Sequence, residues 1–117
     1  MGVKRIVADI ATKDVAGVRA FYQAVFDLDV AMDFGWIATL KGAVEAPVQI
    51  SVASEGGSGA PVPDLSIEVD DVDAVHARVL ALGRKVEYGI VDEPWGVRRF
   101  FVKDPAGKML NVLAHLG

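Results

Sequence analysis

Carboxylate, amide and hydroxyl side chains occupy alternate positions in several strand-like segments of this chain. In the segment 64–70 they alternate with Leu, Ile and Val, and the segments 47–53 and 108–114 show similar patterns. Because successive side chains of a strand point to opposite faces, the polar members of each strand share one face. This polar set consists of Asp9, Gln49, Ser51, Asp64, Ser66, Glu68 and Asn111.

A polar face of this kind can form a cleft, or it can meet solvent as many antiparallel sheets do. In a cleft, Asp64 is the best candidate for a catalytic residue, since desolvation raises the pKa of a carboxyl group toward the range of a general acid or base. Glu68 or Asp9 could take that part if it faces inward. The structural alternative is that Asp64 starts a strand and pairs with an Arg or a backbone N–H group.

Nucleophilic chemistry has little support in the sequence. There is no cysteine, which removes a thiol nucleophile and a thiolate metal site. The two histidines, His76 in a predicted helix and His115 near the C-terminus, are expected to be solvated. No nucleophile–base pair is therefore predicted.

Length and charge limit the remaining classes of protein. The chain has 117 residues, which suits one domain. Its net charge is −4 and Arg98-Arg99 is its only pair of adjacent arginines, so no nucleic acid partner is expected. No apolar run approaches the roughly 18 residues of a membrane span, and no signal peptide is visible. We predict a soluble, cytoplasmic protein without membrane contact.

The chain carries a weak internal repeat. A shift of 57 places Asp14 and the residues after it on Asp71 and the residues after it (71 − 14 = 57), and each Asp (or Asp70 in the second case) can cap a helix. The stretch 54–63 is rich in Gly, Ser and Pro, which is typical of a flexible linker. We predict strands at 4–11, 29–33, 35–41, 47–53, 64–70, 85–92, 97–103 and 108–114, with helices after 14 and 71.

This order, strand-helix-strand-strand-strand repeated twice, predicts an α+β fold. The two βαβββ modules should form a concave, eight-stranded mixed sheet with the helices outside. We predict a single domain, residues 1–117, with module one at 1–53, a linker at 54–63 and module two at 64–117.

Two stretches of the chain resemble the vicinal oxygen chelate (glyoxalase/bleomycin-resistance/dioxygenase-like) superfamily. Asp14 followed by Phe21-Tyr22 is similar to the opening of that family's first module, and the segments 64–73 and 100–112 are similar to its second. The resemblance implies four metal-ligand positions, which here hold Val7, Gln49, Asp64 and Asn111. Family members typically have His or Glu there, so the resemblance predicts no metal and no cofactor for this chain.

The resemblance leaves three functions open. The first is the binding, without a metal, of a small aromatic or anionic organic molecule, in a homodimer of the bleomycin-resistance type. The second is an enzyme that uses Asp64 as acid or base or has a non-standard metal site, and the third is a dimerisation or regulatory module. The predicted ligand-binding residues are Val7, Asp9, Trp36, Gln49, Asp64, Trp95, Arg98, Phe100 and Asn111, with Phe34 and Tyr88 as further aromatic candidates.

The turn between the last two strands decides which arginine faces the cleft. A four-residue turn places Arg98 and Phe100 on the face of Asn111, whereas a bulge places Arg99 and Phe101 there. An arginine in the cleft would favour an anionic ligand.

Overall fold

The computed structural model describes residues 2–26, 28–42 and 49–117. The predicted order of elements is confirmed, and their observed ends agree with the predicted ones within two residues. The predicted start of the fourth strand, Pro47, lies outside the described residues. The elements are β1 (Val3–Ala11), α1 (Val15–Phe26), β2 (Asp29–Asp33), β3 (Ile37–Lys41), β4 (Gln49–Ala53), β5 (Leu65–Val69), α2 (Val72–Ala81), β6 (Val86–Glu93), β7 (Val97–Lys103) and β8 (Met109–His115).

The chain divides into two compact units that nearly coincide with the two modules. The module-one unit is Val7–Val62, and the module-two unit is Met1–Ile6 with Pro63–Gly117. The first residues of β1 therefore belong with module two, where Gly2 N donates to Asp70 Oδ1 at 3.0 Å. Neither of the two helices in the described residues is long and apolar enough to cross a membrane.

In the module-one unit, the strands have the order β2-β3-β4-β1. β1 runs parallel to β4, and the other neighbours are antiparallel. Helix α1 begins after Asp14, whose Oδ1 accepts the N–H of Gly17 at 2.9 Å, as the predicted N-cap requires. Its buried Val15 packs with Ala38 and Val52 on one face of the sheet.

In the module-two unit, the order is β5-β8-β7-β6, with β5 parallel to β8. Asp71 caps α2 by accepting the N–H of Ala74 at 3.0 Å, and Gly83 follows the helix with φ +72°, a conformation that suits glycine. Burial of an apolar face against the helix stabilises this half of the fold. The buried core residues are Val69, Val72, Phe100, Val102 and Val112. The α+β class with two tandem βαβββ modules of mixed strands is confirmed.

The Gly- and Ser-rich stretch 54–63 forms a loop with backbone hydrogen bonds between its own residues. Gly56 N donates to Ala60 O at 2.7 Å, and Ala60 N donates to Gly57 O at 2.9 Å. Gly56, Gly57 and Ala60 are buried. Composition is typical of flexible coil here, and it does not reveal these backbone hydrogen bonds.

We expect Gly56→Ala to destabilise the protein by about 1–3 kcal/mol, the usual cost of forcing extra atoms into a packed site. A Cβ atom at Gly56 would overlap the carbonyl group of Pro61, which is backbone and cannot rotate aside. Gly89→Ala is the matched control, because a Cβ atom there meets nothing within 4 Å. Urea unfolding of both variants measures the effect, and equal midpoints would contradict the packing of this loop.

Candidate ligand-binding face

The sheet of the module-two unit has one face against α2 and one face turned away from it, which we call the distal face. Ile67, Phe100 and Val112 pack in the core beneath α2, so their strand neighbours point to the distal side. The strand registers join Ser66 to Asn111, Asn111 to Phe101 and Phe101 to Tyr88. These four residues form one row across β5, β8, β7 and β6, which we call the cross-strand row.

Asn111, near the middle of this row, carries an unsatisfied polar atom. Its Nδ2 donates to Ser66 Oγ at 3.1 Å. Its Oδ1 is buried and has no hydrogen-bond partner within the part of the chain that the structure describes. A buried acceptor left without a donor costs about 1–3 kcal/mol, so this oxygen is a place where a ligand N–H or O–H group would be stabilised.

Beside the row lies a buried ion pair between Arg99 and Glu93. Arg99 Nη2 is 2.6 Å from Glu93 Oε2, and the two side chains are 3% and 4% exposed. Arg99 Nε and Tyr88 Oη donate to the same oxygen at 2.7 and 2.9 Å. The charge of Arg99 is therefore matched at contact distance by Glu93.

Three aromatic rings surround the guanidinium of Arg99. Its Cζ lies 5.0 Å from the ring centroid of Tyr88 and 4.9 Å from those of Trp95 and Phe101. A cation over aromatic rings is attracted by their negative faces. The rings of Tyr88 and Phe101 also lie 5.1 Å apart. Arg99 and these three aromatic rings form a packed cluster at one end of the cross-strand row.

Of the two predicted alternatives, the structure places Arg99 and Phe101, rather than Arg98 and Phe100, on the face of Asn111. The cause is the connection between β7 and β8. Lys103 pairs with Met109, so the loop is 104–108, one residue longer than a four-residue turn. Arg98 instead bonds Asp73 and Asp92 at 3.0 and 2.9 Å.

Phe100 and His76 lie together on the α2 side of the sheet. Phe100 is fully buried, and its ring centroid is 5.0 Å from that of His76. His76 was expected to be solvated, but it is half-buried against this ring. Phe100 therefore belongs to the core rather than to the distal face.

Asp64 stands just before β5 and is exposed. Its backbone N–H donates to Met109 O at 2.8 Å, and its Oδ2 accepts the N–H of Met109 at 2.7 Å. These contacts fix the residue just before the strand, and Asp64 pairs with a backbone N–H group as in the structural alternative. An acid–base role for Asp64 remains a prediction.

The predicted site residues of the module-one unit lie on β1, on β4 and just before β3. Val7 is buried, while Asp9, Gln49 and Trp36 are half-buried. Asp9 pairs in register with Ser51, whose hydroxyl is 2.7 Å from that of Thr39. Since Ile10 and Val52 pack against α1, Asp9 and Ser51 face away from that helix.

Glu68 also lies on the distal face, held between a cation and an imidazole. Arg5 Nε is 2.8 Å from Glu68 Oε1, and His115 Nδ1 is 2.6 Å from Glu68 Oε2. Burial acts to raise the pKa of Glu68, but the hydrogen bond from His115 and the charge of Arg5 outweigh it and hold that pKa below its usual value. The sequence suggested no partner for His115, because this contact joins residues 47 positions apart.

The lowered pKa of Glu68 predicts a pH-dependent contribution to stability. A carboxyl group with a depressed folded-state pKa stabilises the protein above its unfolded pKa, and the effect is lost as pH falls through the folded value. We expect the difference in unfolding free energy between the wild type and Glu68→Gln to shrink below about pH 4.5, the group's ordinary pKa. Urea unfolding from pH 7 to pH 3 measures it, with Glu55→Gln as an exposed control. A difference that is constant over this range would contradict the pairing.

The donor set at the four family metal positions does not fit a divalent ion. Val7 has no donor atom, Gln49 and Asn111 carry neutral amides, and Asp64 is the one carboxylate of the four. Zn²⁺ and Fe²⁺ favour imidazole, thiolate or carboxylate ligands. Across residues 2–26, 28–42 and 49–117, no three Asp, Glu or His side chains are grouped to hold a metal.

Solved structures share the fold of this chain at low sequence identity. One described as NAD-dependent benzaldehyde dehydrogenase from Legionella pneumophila has a TM-score of 0.78 at 16% identity, covering 95% of this chain and 99% of its own. Methylmalonyl-CoA epimerase from Streptomyces coelicolor has a TM-score of 0.72 at 18% identity, with 99% and 100% covered. A glyoxalase/bleomycin resistance protein/dioxygenase superfamily member from Vibrio splendidus 12B01 has a TM-score of 0.67 at 17% identity, with 97% and 99% covered.

No curated protein matches the sequence. The model of the Glyoxalase/Bleomycin resistance protein/Dioxygenase superfamily matches residues 3–112, which is nearly the whole chain. The match agrees with the resemblance seen in the sequence and with the two βαβββ modules of the structure. This chain belongs to the Glyoxalase/Bleomycin resistance protein/Dioxygenase superfamily.

Proposed function

We propose that this chain binds a small organic molecule on the distal face of its module-two sheet, without the family's metal. The observation that carries the proposal is the buried Oδ1 atom of Asn111, which lacks a hydrogen-bond partner among the described residues. Buried polar atoms in folded proteins are nearly always satisfied, so an exception needs an explanation. A ligand that donates to this oxygen supplies one.

The neighbours of Asn111 suit this role. Phe101 on the adjacent strand offers an aromatic ring, and Tyr88 continues the row. Small-molecule sites combine apolar walls with a few fixed polar groups, and the cross-strand row has two aromatic and two polar side chains. Ser66 and Tyr88 at its ends are half-buried, whereas Asn111 and Phe101 are buried. A ligand that reaches Asn111 must therefore displace the atoms that cover it.

Asn111 is also one of the four positions at which family members typically carry a metal ligand. An amide there provides a neutral hydrogen-bonding group in place of an imidazole or carboxylate ligand to the ion. The position keeps its place on the sheet while its chemistry changes from ligating a metal to orienting an organic molecule. This supports a binding function rather than the metal-dependent chemistry of other members.

A ¹H–¹⁵N NMR screen of the purified protein against a broad panel of small aromatic and polar compounds tests the proposal. We expect binding compounds to shift the side-chain amide signals of Asn111 and the backbone signal of Ser66. Asn111→Leu removes both polar atoms of the amide. It should weaken the binding of these compounds about 5-fold or more, as loss of a buried hydrogen bond does. If no compound in the panel perturbs these signals, the proposed function is wrong.

A further inference from the structure

We infer that the ligand of this face is an uncharged, planar molecule that donates an N–H or O–H group, such as an aromatic carboxamide or lactam. The inference rests on the proposed function, because it names the ligand class of the same site. It departs from the expectation drawn from the sequence, where an arginine in the cleft favoured an anion.

The arginines of the distal face already have carboxylate partners. Arg99 is the arginine that shares the face of Asn111, but Glu93 lies 2.6 Å from its guanidinium and both side chains are almost completely buried. Arg5 also has a carboxylate partner, since its Nε lies 2.8 Å from Glu68 Oε1. An anion approaching the row would have to compete with a carboxylate already in place. These two arginines therefore give the distal face little attraction for a negative ligand.

A second charge acts in the same direction. Asp64 precedes β5 by one residue, and its exposed carboxylate accepts the N–H of Met109 at 2.7 Å. Met109 is two residues before Asn111 on β8. A negative charge in this part of the unit disfavours an anionic ligand more than a neutral one.

Hydrogen bonding also limits the class of ligand. The amide of Asn111 has already used Nδ2 to donate to Ser66 Oγ, so the atom left for a ligand is the acceptor Oδ1. A carboxylate ligand would place a negative oxygen against this acceptor, which is unfavourable. A carboxamide N–H or a phenolic O–H forms the missing hydrogen bond.

The aromatic rings of the row limit the shape of the ligand. The rings of Tyr88 and Phe101 lie 5.1 Å apart, and Phe101 is next to Asn111 in the row. Aromatic rings favour stacked or edge-on contacts with another planar group. A planar ligand can therefore place its donor at Asn111 while its ring contacts Phe101.

Matched pairs of probes that differ only in charge test the inference. Benzamide and benzoate, nicotinamide and nicotinate, and indole-3-carboxamide and indole-3-carboxylate are titrated into the 117-residue chain. Binding is followed by the backbone signal of Ser66, which variants at position 111 retain, and in the wild type also by the Asn111 side-chain signals. We expect the carboxamide of at least one pair to bind about 10-fold more tightly than its carboxylate, which corresponds to about 1.4 kcal/mol. A carboxylate that binds more tightly than its carboxamide would overturn the inference.

Two variants separate the hydrogen-bond direction from other causes. Asn111→Asp keeps an acceptor and removes the donor, so carboxamide binding should persist. Asn111→Leu removes the acceptor and should abolish the preference for the carboxamide. If Asn111→Asp loses the carboxamide as completely as Asn111→Leu does, the ligand accepts rather than donates and the inference fails.

Failure of the inference is distinguishable from failure of the proposed function. If no pair binds but other compounds of the broad panel shift Asn111, the ligand class is wrong and the binding face stands. If nothing shifts Asn111, both are wrong.

Discussion

Replacing Glu93 with glutamine is expected to lower the free energy of unfolding by about 3–5 kcal/mol, the usual effect of removing one partner from a buried ion pair. The guanidinium of Arg99 is 3% exposed and would remain in the interior without the carboxylate of Glu93. The hydrogen bond from Tyr88 can persist to the amide oxygen, so the loss reports mainly on charge. Urea unfolding at neutral pH measures it.

Two matched variants sharpen this test. Asp92→Asn removes a carboxylate from the exposed pair with Arg98 and should cost no more than about 1 kcal/mol. The double variant Glu93→Gln/Arg99→Met removes the buried cation of Arg99 as well and should recover much of the loss. If Glu93→Gln lowers the free energy of unfolding no more than Asp92→Asn does, Glu93 does not neutralise the charge of Arg99. The pairing of Arg99 would then be no reason to expect an uncharged ligand.

Phe100→Ala is expected to cost about 3–5 kcal/mol, as large-to-small substitutions of buried aromatic residues do. Phe100 is fully buried in the core beneath α2 and contacts His76. The milder variants Phe100→Leu and Phe101→Leu both change a fully buried side chain, so both should lower stability. We expect only Phe101→Leu to weaken ligand binding, by about 0.5–1.5 kcal/mol. The opposite pattern would reverse the assignment of the two faces.

The arrangement of elements could be predicted because the sequence marks it locally. Asp14 and Asp71 cap the two helices, and each capping contact joins residues three positions apart. Alternation in the strands separated a helix-facing side from a polar side, and Ser66, Glu68 and Asn111 lie together on the latter. Short-range chemistry of this kind is visible in one chain without any knowledge of strand pairing.

The assignment of individual residues to the site depended on information that the sequence lacks. The length of the loop 104–108 decides whether Arg98 or Arg99 lies on the face of Asn111. One residue more or less in this loop would move every side chain of β7 to the opposite face of the sheet. Asp104 makes that loop by accepting the N–H groups of Ala106 and Lys108 at 2.8 and 2.9 Å. Composition indicates a turn here, but it does not fix its length.

The charge partners were equally hidden. Glu93 pairs with Arg99 and Asp92 pairs with Arg98, although both acids precede both arginines by similar intervals in the chain. The selection follows from which face each residue occupies, and so from the register again. His115 meets Glu68 only because β5 and β8 run side by side in parallel. Both contacts need the tertiary pairing of strands, which no local pattern encodes.

We propose that Asn111 Oδ1 accepts a hydrogen bond from a small ligand on the distal face. A crystal structure of the protein with the carboxamide that produces the largest Asn111 shift would show that contact or its absence. We expect the carboxamide nitrogen about 3 Å from Asn111 Oδ1, with its ring against Phe101 and with Arg99 still paired to Glu93. A ligand bound elsewhere, or a carboxamide whose nitrogen makes no contact with Asn111, would contradict it.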